Sequence, residues 1–157
     1  MDGAAHNDDQ LRGGELVKES AAYEGQPGDI ARARDLAHAF LERLQSVHGL
    51  PVSERAMDMV QLVVSELLTN ACKYAHGPCL LDLQLREGRV EVTVWDSEPM
   101  LPVPKAPDPG RVGQHGLEIV MAVSQSFEVH REPVGKRTMA AIMLADDPGG
   151  NASGRHP

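Results

Sequence analysis

The chain has 157 residues, enough for one domain with an ordinary core plus tails. Hydrophobic residues make up 41%, a normal globular share, and the apolar runs fall far short of the roughly 20 residues a membrane-spanning helix needs. A net charge of −8 and a pI near 5.3 weigh against general nucleic-acid binding, which needs a basic surface to meet phosphates.

The opening segment MDGAAHNDDQ is acidic and polar, so it does not read as a secretory signal, and a cytoplasmic protein is expected. Cys72 and Cys79 are too few for a disulfide framework. Residues 1–14 and 145–157 are rich in Gly, Asp, Asn, Ser and His without periodicity. They are expected to be mobile tails around one compact unit, 15–144.

Residues 15–24 suggest an edge strand, followed by a GQPGD turn in which Asp29 is placed to cap a helix. The stripe Ala33, Ala37, Phe40, Leu41 and Leu44 predicts that helix over about 30–48, stopped by Gly49. A second, long helix runs from Glu54 to about Ala75 behind a Ser53 cap. Its buried stripe is Met57, Val60, Val63, Val64, Leu67, Leu68 and Ala71. CLLDLQLR (79–86) and RVEVTVWD (89–96) alternate with period two around Glu87-Gly88 and predict a hairpin. A proline-rich stretch, 97–114, is too long for a simple connector and suits a functional lid. A third helix from Gly116 to about Ser124 and strands at 126–132 and 138–144 complete an α+β sandwich with helices on one sheet face.

On the second helix, Glu66, Asn70 and Lys73 follow at spacings of four and three, on one side beside the buried stripe. A carboxylate and a carboxamide one turn apart can hold a divalent ion or an activated water, although spacing alone fits a solvated polar ladder better. Asp96 ends a strand before the long loop, where binding residues tend to lie, but Asp-Ser is also a good strand terminator. Gly110, Gly113 and Gly116 precede a helix start, an arrangement that suits phosphate and equally suits a flexible loop. His115 in that loop could touch phosphate, or simply be exposed. The C-x3-H-x2-C pattern of Cys72, His76 and Cys79 offers too few soft ligands for a structural metal. His38 stands on the first helix without an acidic or hydroxyl partner at a recognisable spacing, and no Ser/His/Asp arrangement emerges.

Taken in order, these pieces resemble the GHKL ATP-binding superfamily, in its anti-sigma-factor serine kinase branch. VVSELLTNACKYA (63–75) is similar to the N box, VEVTVWDSEPMLP (90–102) to the first glycine box, GRVGQHGLEIV (110–120) to the second, and GKRTMAAIML (135–144) to the closing strand. The resemblance covers roughly 23–144. It implies a two-layer sandwich with about five strands in a mixed, mostly antiparallel sheet and three helices on one face. It implies Mg²⁺·ATP as the ligand. Glu66 matches the residue that activates water or the acceptor hydroxyl, Asn70 the Mg²⁺ ligand, and Asp96 the carboxylate that recognises the adenine amino group. Lys73 matches a basic residue near the phosphates or ribose, and Gly113, Gly116 and Leu117 match the lid and the helix start beneath the phosphates. The closing strand's hydroxyl falls on Thr138, or on Arg137 if aligned without gaps.

Two departures stand out. The first glycine box has no glycine, with Ser97, Glu98 and Pro99 in its place, and the second box starts at either Gly110 or Gly113. The function implied is phosphorylation of a Ser or Thr on an antagonist (anti-anti-sigma) protein, with a sigma factor as a further partner and a homodimer as the related assembly. The rival expectation, prompted by the missing glycines and Glu98, is a protein-interaction module with weak or no nucleotide binding.

Overall fold

The computed structural model describes residues 17–74, 77–97 and 116–145, without the side chains of 72–74 and 116. Their order is β1 (Lys18–Tyr23), α1 (Asp29–Ser46), α2 (Glu54–Tyr74), β2 (Cys79–Arg86), β3 (Arg89–Asp96), α3 (Gly116–Val123), β4 (Ser126–Arg131) and β5 (Lys136–Met143). The expected tails and most of the expected lid lie outside the described residues. No described helix is long and apolar enough to cross a membrane.

The strands form one sheet in the order β1-β2-β3-β5-β4. Where a mixed, mostly antiparallel sheet is expected, every neighbouring pair is antiparallel. β5 slots between β3 and β4, which are therefore parallel to each other without touching, and the α3 connection joins them.

Alternation decides which face of each strand meets the helices. Val90, Val92 and Val94 of β3 pair with Ile142, Ala140 and Thr138 of β5, and on the other side with Leu85, Leu83 and Leu81 of β2. Nearly all of these side chains are buried, and they form the floor of the core. The α1 stripe Ala33, Ala37, Phe40, Leu41 and Leu44 is fully buried, as are Val60, Val63, Val64 and Leu68 of α2. α2 is the central helix, packed between α1 and α3 and lying across β3 and β5.

Local chemistry sets the element ends. Glu87 and Gly88 both take positive φ, 52° and 79°, as a tight two-residue hairpin turn requires. Ser53 caps α2: its Oγ accepts the Ala56 N–H at 2.9 Å, while its own N–H donates to Leu144 O at 2.8 Å and ties the helix start to the end of β5. Asp29 differs from expectation. Gly28 is the N-cap, in the left-handed region, and Asp29 is the first helical residue. Its carboxylate reaches back to the N–H groups of Gly25 and Gln26 and sideways to Arg32. Burial alone would raise this carboxyl, but those partners outweigh it and hold it below the ordinary range.

β5 begins at Lys136 rather than at 138, and the reason lies in the preceding glycine. Gly135 has φ +82°, and a Cβ there would stand 1.7 Å from the Asp96 carbonyl oxygen. Only glycine lets the hairpin close down onto the end of β3 and extend the ladder by two residues. Gly135→Ala is therefore expected to destabilise the domain by about 3 kcal/mol or more, combining left-handed strain with overpacking. A drop in the urea midpoint measures this, and a midpoint equal to the parent would contradict the close approach.

Candidate functional site

The alternation that buries Val90, Val92 and Val94 carries on to Asp96, so the last side chain of β3 points to the helix face. Its position at the strand end leaves it beyond the apolar floor but still covered, at 6% exposure. Directly across the ladder stands Lys136. Its Nζ lies 3.1 Å from each carboxylate oxygen of Asp96, and the two side chains are 2–3% exposed. This is a buried, two-pronged ion pair. Thr138 follows one row further in, paired with Val94 and Val129 and buried on the same face. Arg137 pairs with Trp95 on the opposite face, where its Nε lies 3.4 Å from Glu132, so Thr138 is the hydroxyl on the helix side.

The C-terminal part of α2 comes to the same end of the sheet. The connection from α2 to β2 passes Gly77, where a Cβ would stand 3.3 Å from Ser97 Oγ, the residue after Asp96. Glu66 and Asn70, one turn apart, are both half-buried, flanked by the buried Leu67, Leu68 and Ala71. They are held at the core boundary, as the helical spacing anticipates. The backbone of Lys73 continues the last turn of α2, but its side chain lies outside the described residues.

α3 starts at Gly116, with Leu117 half-buried in its first turn. Its far end is fixed by Gln125 N–H donating to Ala141 O at 2.7 Å, and Val120 is buried in the core. Gly110, Gly113 and His115 lie outside the described residues. Glu118, absent from the expected set, keeps its Oε1 buried in that first turn without a hydrogen-bond partner among the described residues.

His38 corrects the reading of α1. It does have an acidic partner, Glu42, at 3.1 Å from Nε2 one turn on, and Nδ1 meets Gln61 Nε2 at 3.2 Å. His38 and Glu42 are exposed and Gln61 is half-buried, so the cluster ties α1 to α2 at the surface. Among the described residues no group of His, Cys, Asp and Glu has the arrangement of a metal site.

Comparison with known proteins agrees with this fold. Residues 24–142 match the family described as the histidine kinase-like ATPase domain, a range that takes in every described helix and strands β2 to β5 up to Ile142, with β1 outside it. The chain belongs to that family. No curated protein matches it in sequence. Among solved structures, this histidine kinase-like ATPase domain resembles a chain holding the RsbU and RsbW domains of Rv1364c from Mycobacterium tuberculosis. The TM-score is 0.60 with 14% identity, over 81% of this chain. At that identity the likeness is one of fold, and the domain spans 32% of the mycobacterial chain. A histidine kinase domain from the Erythrobacter litoralis EL346 blue-light activated kinase also matches, at TM-score 0.43 and 21% identity, over 73% of this chain and 70% of that one.

Proposed function

We propose that this histidine kinase-like ATPase domain binds Mg²⁺·ATP at the sheet end marked by Asp96 and transfers a phosphoryl group to a Ser or Thr of an antagonist protein, as an anti-sigma-factor-like regulator. The observation that supports it most is Asp96 on the helix face of β3 at the sheet end that also receives the C-terminal part of α2, the helix that carries Glu66 and Asn70. The donor set suits the ligand. Asn70 and Glu66 offer hard oxygen atoms of the kind Mg²⁺ takes. Asp96 offers an acceptor beside an apolar floor, as a flat base with an amino group requires.

In this reading Asn70 holds the metal, Asp96 accepts from the base amino group, and Thr138 supports the base edge. Lys73, Gly113, His115, Gly116 and Leu117 flank the phosphates. When bound, Mg²⁺·ATP supplies the transferable phosphoryl group and the neutralisation of its phosphate charge. Glu66 would take the proton from the acceptor hydroxyl as that oxygen bonds to the γ-phosphorus, while the bond from the γ-phosphorus to the bridging oxygen breaks and ADP leaves. The reading also includes a sigma factor as a second partner and a homodimer as the working assembly.

A second reading, an interaction module without catalysis, draws on Lys136, which already engages both oxygens of Asp96. Phosphate transfer separates the two. With γ-labelled ATP and extract from the source cells, the kinase reading expects an acid-stable phosphoprotein that requires this chain. Label confined to an acid-labile phosphohistidine, or no transfer despite ATP binding, would overturn it.

A further inference from the structure

Strand alternation gives the sheet a second face, opposite the one on which α1, α2 and α3 pack. The core side chains of β2, β3 and β5 point to the helices, so Leu80, Trp95, Met139 and Met143 point the other way. These four form an apolar stripe that crosses the sheet from the start of β2 to the end of β5. Leu80 and Trp95 are register partners, and Met139 and Met143 continue the stripe along β5. Leu80 is 42% exposed and Met143 43%, with Trp95 and Met139 half-buried between them. Trp95 is the chain's only tryptophan, and it lies on this face rather than in the core.

The charges that flank the stripe are matched within the face. On one side Lys18 lies 3.3 Å from Asp82 and Arg86 3.2 Å from Glu91, with Arg89 3.9 Å from the same carboxylate. On the other, His130 lies 2.8 Å from Glu128. In formal charge, Lys18, Arg86, Arg89 and Arg137 stand against Asp82, Glu91 and Glu128, a balance of +1 in a chain whose total is −8. The excess of acid is therefore carried elsewhere. Two copies that approach through the acidic remainder repel each other, and a strongly charged partner finds no opposing field here. The complement to this face is a surface equally neutral and equally apolar along its middle, which is what a second copy presents.

The area is sufficient. Five strands about 4.8 Å apart, up to eight residues long at about 3.3 Å each, make a platform of roughly 600 Å² per copy. A pair buries about twice that, the lower end of the range for stable interfaces. Tryptophan, methionine and arginine, which interfaces favour, are all present on it.

We propose that a second copy of this chain docks on this open sheet face, the two sheets packing back to back about a two-fold axis through the stripe. The proposal rests on the homodimer in the reading above and gives it a surface.

Sedimentation velocity of the full chain from about 1 to about 100 µM tests this, with Trp95 emission followed over the same dilution. The parent is expected to run at twice the chain mass at the upper concentration. Its Trp95 emission is expected to shift to the red as dilution releases monomers and water reaches the ring. Leu80→Lys/Met143→Lys sets charge at both ends of the stripe, at exposed positions where the fold tolerates it. It is expected to raise the dimer dissociation constant by about thirtyfold or more. Ile119→Lys/Met121→Lys, on the exposed apolar side of α3, is expected to leave that constant unchanged. A parent that stays monomeric at about 100 µM overturns the proposal. So does a dimer that survives in a folded Leu80→Lys/Met143→Lys chain, or one that is lost in the α3 variant. Should no variant fold, dissociation of the parent without any change in Trp95 emission overturns it as well. ATP titration is read separately. A monomer that binds ATP removes this proposal and leaves the nucleotide-binding reading, and a dimer that binds none does the reverse.

Discussion

Asp96→Ala is expected to weaken the fold and abolish ATP binding at once, and the two effects can be separated. The substitution removes the carboxylate that the Lys136 ammonium, 3% exposed, engages at 3.1 Å. Breaking a buried ion pair from one side typically costs about 3–5 kcal/mol, a large share of a small domain's stability. Urea or thermal unfolding measures that loss. The double variant Asp96→Ala/Lys136→Met removes both charges and should recover most of the stability, because a paired deletion leaves no buried charge behind. It should not recover nucleotide affinity, since the acceptor for the base amino group is still missing. Recovery of ATP binding by the double variant would mean that Asp96 serves the fold alone.

The second large effect concerns chemistry. Glu66→Ala is expected to lower phosphoryl transfer by about a hundred- to ten-thousandfold, the usual contribution of a positioned general base. ATP affinity should change little, because the reading gives Glu66 the acceptor hydroxyl and Asn70 the metal. Glu66 is half-buried at the core boundary, and no buried apolar volume goes with it. Its loss should therefore move stability by no more than about 0.5 kcal/mol. Transfer at the parental rate by a folded Glu66→Ala chain would remove the residue from the mechanism.

The parts of this site that could be read in the sequence are the ones fixed by local periodicity. Period-two alternation in 89–96 determines that Asp96 faces the same way as Val94 and lies at a strand end. The 3.6-residue repeat of α2 determines that Glu66 and Asn70 border the buried stripe. Lys136 was not legible because its role depends on the register between strands 40 positions apart in the chain. Alternation alone places the strand at 138–144, so Lys136 falls before it, and only the resemblance of 135–144 to the closing strand takes it in. The signal was present only as Gly135, whose missing side chain is what the Asp96 carbonyl demands.

Asp29 failed as a cap for a related reason. Pro27-Gly28 allows the chain to turn one residue earlier than the usual polar cap, so the carboxylate reaches backwards into the turn. The His38–Glu42 contact, by contrast, is a simple pair at four-residue spacing and was readable from α1 itself.

The most direct test of the account is a calorimetric titration of ATP into the unmodified chain, with and without Mg²⁺. The account predicts saturable binding in the micromolar to submillimolar range that strengthens when Mg²⁺ is present. No saturable binding at millimolar ATP in either condition would mean that this histidine kinase-like fold has kept its shape without its ligand, and would contradict the account at its centre.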